Sequence, residues 1–347
     1  MLCSQDGIGS DLIEECMKMN CLAFAYRKSF VGVAIAAGVV VAGCGGTTPH
    51  YAITPSQALA VFNTYNHNNQ KANATLNTAL QNQQEMSTAA EIDDANYQAY
   101  HDLGKTGFGR NAVLMKGPFA VYDFNESIAT LRTGGTAYFV VITGSPKKAR
   151  NLFLFAKTGV AGAWKVFAEP TIRAGVTPAF VPAGNGYFEA GPLPTHLAVS
   201  PSTALNDLIA YFSSYSTASP SLGVLAPGPD TTGFLATYRN TVAKAAAQKE
   251  TDQLLFTQDN SPLVIFPVKN GALVFGAYDL TQTYTWPAHY YVRQPTSRID
   301  WTPLLAPGTY HTSVTISSVV EVVLQIPTKG KVSVLGSYGG IVSAQGQ

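Results

Sequence analysis

Hydrophobic and polar positions follow four patterns along this chain. Residues 30–43 (FVGVAIAAGVVVAG) are an uncharged, mostly apolar run directly after Arg27 and Lys28. It falls short of the about 20 residues that a hydrocarbon core requires. Next, Thr54-Pro55-Ser56-Gln57 reads as a helix start, with Thr54 as N-cap, Pro55 at the first helical position and Gln57 closing a capping box. Ala58, Val61, Phe62 and Tyr65 follow at i, i+3, i+4 and i+7 and predict one apolar face. The Asn- and Gln-rich run over 63–84 weakens that helix from about residue 66. A second helix is predicted over 90–103, carrying Tyr97 and Tyr100 and broken by Gly104, Gly107 and Gly109. From there the pattern turns to short β-branched and aromatic runs at 119–124, 127–131, 136–143, 152–156 and 163–168, separated by glycine turns. Runs spaced in this way predict an antiparallel meander, and helices laid on one curved sheet make an α+β unit.

The same order recurs. Ile53-Thr-Pro-Ser-Gln-Ala-Leu59 answers Val199-Ser-Pro-Ser-Thr-Ala-Leu205, Tyr65 answers Tyr211, and Tyr100 answers Tyr238. Pro118-Phe-Ala-Val-Tyr122 matches Pro262-Leu-Val-Ile-Phe266, and Ala163-Trp-Lys-Val-Phe-Ala168 matches Lys331-Val-Ser-Val-Leu-Gly336. Two tandem copies of one unit explain this order. The alternative is that any two α+β domains align so, and the second helix departs from the first: its cleanest face is Leu205, Leu208, Ile209 and Phe212, and Thr203 replaces the capping Gln. The expected division is a leader over 1–43, a tether over 44–52 and a first domain over 53–172. A Pro- and Gly-rich linker or extra strand over 173–198 and a second domain over 199–347 follow.

The apolar run ends in Val41-Ala42-Gly43-Cys44. Positive residues, a short apolar core and small residues before a cleavage point are the pattern of a secretory signal peptide. Val-Ala-Gly-Cys resembles the lipobox of bacterial lipoproteins. The resemblance implies cleavage between Gly43 and Cys44, acylation of the Cys44 thiol, and a mature chain held on the extracytoplasmic face of the cell membrane. The remaining cysteines, Cys3, Cys16 and Cys21, precede this point, so the exported part holds no disulfide, Cys nucleophile or Cys-ligated zinc. Asp6, Asp11, Glu14 and Glu15 suit a leader poorly, which makes Met17 or Met19 the expected translation start. The tether 44–52 spans at most about 30 Å, so the first domain is expected close to the bilayer.

Composition narrows the function classes. With 46% hydrophobic and 12% charged residues the chain is globular, and a net charge of +1 gives no reason to expect nucleic-acid binding. Leu335-Gly-Ser337-Tyr-Gly339 lacks the first Gly of a nucleophile elbow. Ser145-Pro-Lys-Lys148 and Lys157-Thr-Gly159 lie too close together for a penicillin-binding site. His50, His67, His101, His196, His289 and His311 are scattered singly, so no metal is expected, and no cofactor motif is present. The segment between the predicted strands 272–279 and 313–326 holds Tyr284, Trp286, Tyr290, Tyr291, Trp301 and Tyr310. Aromatic faces in a long loop suit a glycan, a peptide or a partner protein. They also suit a sheet cover.

A helix-first unit followed by a curved sheet resembles the cone-shaped nuclear-transport-factor-2-like and cystatin-like domains. A lipobox leader with two such units resembles uncharacterised lipoproteins of actinobacteria. The expectation is a lipid-anchored binding or envelope-associated protein whose contacts are Trp286, Tyr290, Tyr291, Trp301 and Tyr310. The rival is a cavity-type hydrolase or isomerase using His101, paired with Asp94, or His289.

Overall fold

The computed structural model describes residues 52–109, 114–115, 119–123, 132, 134–182, 188–189, 194–287, 292–293, 304–305, 309–310 and 312–347. Residues 30–43, Cys44 and the strand expected at 127–131 lie outside them. Helix α1 (Pro55–Thr75) begins as its sequence dictates: the Thr54 hydroxyl accepts from Gln57 N at 3.3 Å, and Gln57 Oε1 accepts from Thr54 N at 2.8 Å. Ala58, Phe62 and Tyr65 are buried on one face.

The Asn-rich run does not end this helix. Asn69 Nδ2 donates to Tyr65 Oη at 2.6 Å and Asn73 Nδ2 donates to Asn69 Oδ1. Asn66 holds both the carbonyl (2.8 Å) and the amide (2.9 Å) of Met115. These amides bond along the helix face and to a distant segment, so they do not compete for their own backbone. Leu76 then closes α1 with a left-handed φ of 50°. Helix α2 (Thr78–Gln84) is capped by Asn77, whose Oδ1 accepts from Leu80 N at 2.9 Å, and α3 (Ser87–Asp102) follows.

Strands β1 (Phe119–Asp123), β2 (Thr136–Thr143), β3 (Arg150–Thr158) and β4 (Lys165–Ala168) form the first meander, and β5 (Thr171–Ile172) follows. Two short strands, β6 (Val181–Pro182) and β7 (Phe188–Glu189), add to the β1 edge. The second half opens with α4 (Pro201–Ser213), capped by Ser200, and α5 (Phe234–Ala247). Then come β8 (Thr251–Gln258), β9 (Val264–Val268), β10 (Gly271–Thr285), β11 (Val292–Arg293), β12 (Thr309–Tyr310), β13 (Ser313–Pro327) and β14 (Ser333–Gly346). The protein is α+β. Its large sheet runs β6-β7-β1-β2-β3-β5-β14-β13-β10-β8, with β4 beside β3 and β9 beside β10; β11 and β12 form a separate pair. The β1–β7 pair is parallel, and the other pairings between these strands are antiparallel.

Strands β2 and β3 are apolar on both faces, and the packing shows why. On β2, Phe139 and Val141 face α1 while Val140 and Ile142 face away; on β3, Phe153 and Phe155 face α1 while Leu152, Leu154 and Ala156 face away. The away-facing set packs against Val264, Phe266, Leu273, Phe275, Val323 and Leu335 of the second half. The opposite face of that half, with Val274, Tyr278, Val322 and Leu324, packs under Leu205, Leu208, Phe212, Leu235 and Tyr238 of α4 and α5. The sheet therefore folds back on itself, and the order of layers is helix, sheet, sheet, helix. Covering both faces converts the usual alternation into continuous apolar runs. Among the described residues no helix is long and apolar enough to cross a membrane.

The two halves of the sheet join through β5, where Ile172 is aligned with both Arg150 of β3 and Gly336 of β14. A Cβ at Gly336 would fall on the Thr171 carbonyl oxygen and lie 2.8 Å from Ile172 Cα. Gly336→Ala is expected to cost about 1–3 kcal/mol by forcing that pairing apart. Urea denaturation checks it: an unchanged midpoint would mean that β5 does not tie the halves.

Candidate functional site

Helix α3 belongs to the first half by sequence and to both halves by contact. Ile92 packs among Ala277, Val319, Tyr338 and Val342, and a Cβ at Gly340 of β14 would collide with its side chain. Ser87 Oγ lies 3.0 Å from Ser261 Oγ of the second half. Four carboxyl groups from separate elements gather at this seam. The segment between α2 and α3 bridges to β4, with Met86 N donating to Val166 O at 2.9 Å, which brings Glu85 beside that strand. Asp93 comes from α3 and Glu169 from the bend between β4 and β5. Glu321 comes from the β13 face that also carries Val319 and Val323.

Two hydrogen-bonded groups result. In the first, Glu85 Oε1 accepts from Tyr65 Oη at 2.8 Å and from Gln81 Nε2, and Gln81 Nε2 also reaches Asp93 Oδ2 at 2.8 Å. The chain continues outward through Asn69 and Asn73 to Tyr97, whose Oη donates to Asn73 Oδ1 at 2.7 Å. In the second, Glu321 Oε1 lies 2.7 Å from Thr88 Oγ1, and Glu321 Oε2 accepts from Glu169 N at 2.7 Å. Glu85, Asp93 and Glu321 are buried. Burial, and then the carboxylates around them, push Glu85 and Glu169 well above the ordinary range. Asp93 and Glu321 are raised to about 7, chiefly by burial, against hydrogen bonds that pull them down. The described residues hold no group of three or more His, Cys, Asp or Glu side chains that could bind a metal ion.

The residues singled out in the sequence are placed as follows. Trp286 stands half-buried at the far end of the β10–β13–β14 ribbon, packed with Tyr284, Leu304 and Ile341 over Leu305, Val314, Ile316 and Ala344. Its amide donates to Thr312 O at 3.1 Å and closes the ribbon. Tyr310 lies in β12, which pairs with β11. Gly43, Cys44, His289, Tyr290, Tyr291 and Trp301 fall outside the described residues. His101 is 80% exposed with Nδ1 3.8 Å from Asp102 Oδ1, and Asp94 accepts from Asn82 Nδ2 at 3.1 Å, so the structure does not bring His101 and Asp94 together as a pair.

The buried acids were not found from sequence, although one signal was there. Glu321 sits inside Val319-Val-Glu-Val-Val-Leu324, and an acid flanked on both sides by strand apolars must be buried with a partner if both faces are covered. Glu85 and Asp93 gave no such signal, since both lie in polar stretches.

Residues 49–346 match the family described as Domain of unknown function (DUF8094), and the chain belongs to that family. No curated protein matches the chain, and no solved structure does.

Removing the Thr88 hydroxyl beside Glu321 tests the seam directly. Thr88→Val is expected to lower stability by about 1–3 kcal/mol in urea denaturation. In a double-mutant cycle with Glu321→Leu that cost is expected to shrink, since only the Phe167 carbonyl partner then remains. Additive costs would mean that the two side chains do not interact.

Proposed function

We propose that this protein is a lipid-anchored, extracytoplasmic binding protein, built as two tandem cone-like units on a short tether. The observation that carries the reading is Val41-Ala42-Gly43-Cys44 at the end of an apolar run that follows Arg27 and Lys28. Acylation at Cys44 would leave nine residues at most before the capped start of α1, keeping the fold beside the bilayer. The tandem reading is supported by the shared order of the halves. Each opens with a hydroxyl-capped, proline-started helix at Thr54-Pro55 or Ser200-Pro201, and each centres on a long hairpin, β2–β3 or β10–β13.

A binding role is favoured by how the cones are filled. Under α1, Phe62 lies 5.4 Å from Phe153 between ring centroids, and Phe139 stacks on Phe155 at 4.6 Å. Under α4, Phe212 lies within 6.3 Å of Phe234, Tyr238, Phe256 and Tyr278. Close-packed rings occupy the space that a cavity enzyme would use. His101 points to solvent, so the hydrolase or isomerase reading gains nothing from its position. The half-buried Trp286 at the ribbon tip is the described residue best suited to contact a glycan or a partner protein.

Lipidation is tested by expressing the full chain in a bacterial host fed a labelled fatty acid. Label and membrane association are expected for the wild type and lost in Cys44→Ala; an unlabelled wild type would overturn the anchor. For binding, Trp286→Ala is expected to abolish retention on isolated cell-wall glycan or solubilised envelope protein while circular dichroism stays unchanged. An unfolded Trp286→Ala chain would return the ring to the core and remove this contact face.

A further inference from the structure

We propose that the seam between the halves is a proton-dependent clasp: Glu85 and Glu321 are neutral acids while it is closed, and their ionisation as pH rises loosens α3 from β13 and β14. Gln81 Oε1 and Glu85 Oε2 are both buried and both without a partner. A carboxylate and an amide oxygen only accept, so neither can satisfy the other. An ionised Glu85 therefore leaves a buried oxygen with no donor, and a proton on Oε2 removes that charge.

Glu321 shows the same deficit from the other direction. Thr88 Oγ1 lies 2.7 Å from Glu321 Oε1 and 3.3 Å from Phe167 O. One hydroxyl proton cannot serve two acceptors. With Glu321 protonated on Oε1, that group donates to Thr88 Oγ1 and Thr88 donates to Phe167 O, while Glu321 Oε2 still accepts from Glu169 N. Protonation therefore completes the bonds at Glu321 and removes an unpartnered buried charge at Glu85.

The groups facing the clasp are acidic or neutral on every element that packs there. Helix α1 presents Tyr65, the α2–α3 segment presents Gln81 and Glu85, and α3 itself presents Asp93, Asp94 and Tyr97. Glu169 faces it from the β4–β5 bend and Glu321 from β13, while β14 presents Tyr338, Gly340 and Val342. At the rim Glu91 of α3 is raised by burial and then by Asp259 and Asp279 of the second half. Lys165 of β4 donates to Asn82 O at 2.7 Å, a backbone partner. Among the described residues no cation is among the groups that shift these acids. Their ionisation therefore sets like charges against one another inside the seam.

The direction of the effect follows. Carboxyls held higher in the folded chain than in the unfolded one bind protons on folding, so their stabilisation is full below the unfolded value and is lost as pH rises through the folded value. For Asp93 the window runs from 3.8 to about 7, and for Glu321 from 4.5 to about 7. The clasp is tight in acid and loosens at neutral pH, the reverse of ordinary acid denaturation.

The test is the urea midpoint of the purified full chain between pH 5 and pH 8. The wild-type midpoint is expected to fall across that range. Glu321→Gln, whose amide keeps both bonds without titrating, is expected to remove about a quarter of the fall, since Glu321 is one of four raised acids. Glu85→Gln makes the same test should Glu321→Gln fail to fold. Amides of α3 and β14 are expected to exchange faster at pH 8 than at pH 5 after correction for intrinsic rate. Infrared spectra at pH 5 are expected to show a carboxylic-acid carbonyl band that weakens in each variant. A midpoint that stays level or rises with pH would overturn the proposal, as would a fall that both variants retain or a band that neither variant changes.

Discussion

Everything in this fold depends on how α3 is held. It lies against β4 of its own half and against β13 and β14 of the other, with Ile92 lodged where only a glycine, Gly340, leaves room. Where the sheets meet face to face the space is filled by Leu152, Leu154, Phe266 and Phe275. Beyond that, α3 takes over as filler. A helix cannot interdigitate with a sheet at the same spacing as a second sheet can, so the change of filler leaves a step. Glu85, Asp93 and Glu321 are buried at this junction, hydrogen-bonded to Tyr65, Gln81 and Thr88.

The local elements were legible because local chemistry decides them. The capping box at Thr54 and Gln57, the Phe62 and Tyr65 face and the strand at 136–143 all form as their residues indicate. The Asn-rich half of α1 was misread for a physical reason. Asn is a poor helix former when its amide bonds its own backbone, whereas here Asn66, Asn69 and Asn73 are engaged by Met115, Tyr65 and Tyr97. Nothing in residues 63–84 announces partners that lie so far along the chain.

Layering was illegible for a related reason. A strand with one solvated face alternates, and its register can be read; residues 271–278 of β10 and 319–324 of β13 are buried on both faces and do not alternate. Such a run shows that both faces are covered without saying by what. That Val140 faces Phe266 of the second half and Phe139 faces α1 is fixed only by tertiary packing. The seam acids inherit the same obscurity, since Glu85 and Asp93 look like ordinary helix-surface residues until α3 is seen to be covered on two sides.

Burying carboxyls at the seam is costly, and an apolar set of similar volume would hold the halves more tightly. The cost is limited here by keeping the groups uncharged: one proton completes the bonds at Thr88–Glu321, and another removes the charge from an unpartnered oxygen of Glu85. Neutral acids at an otherwise apolar junction act as ordinary hydrogen-bonding groups, and the penalty returns only when they ionise. The aromatic core under α1 touches this set through Tyr65, which donates to Glu85. At Glu321 proton loss acts on the contact between halves, through Thr88 and the Glu169 amide. A seam that weakens there gives the chain a way to change the relation of its halves.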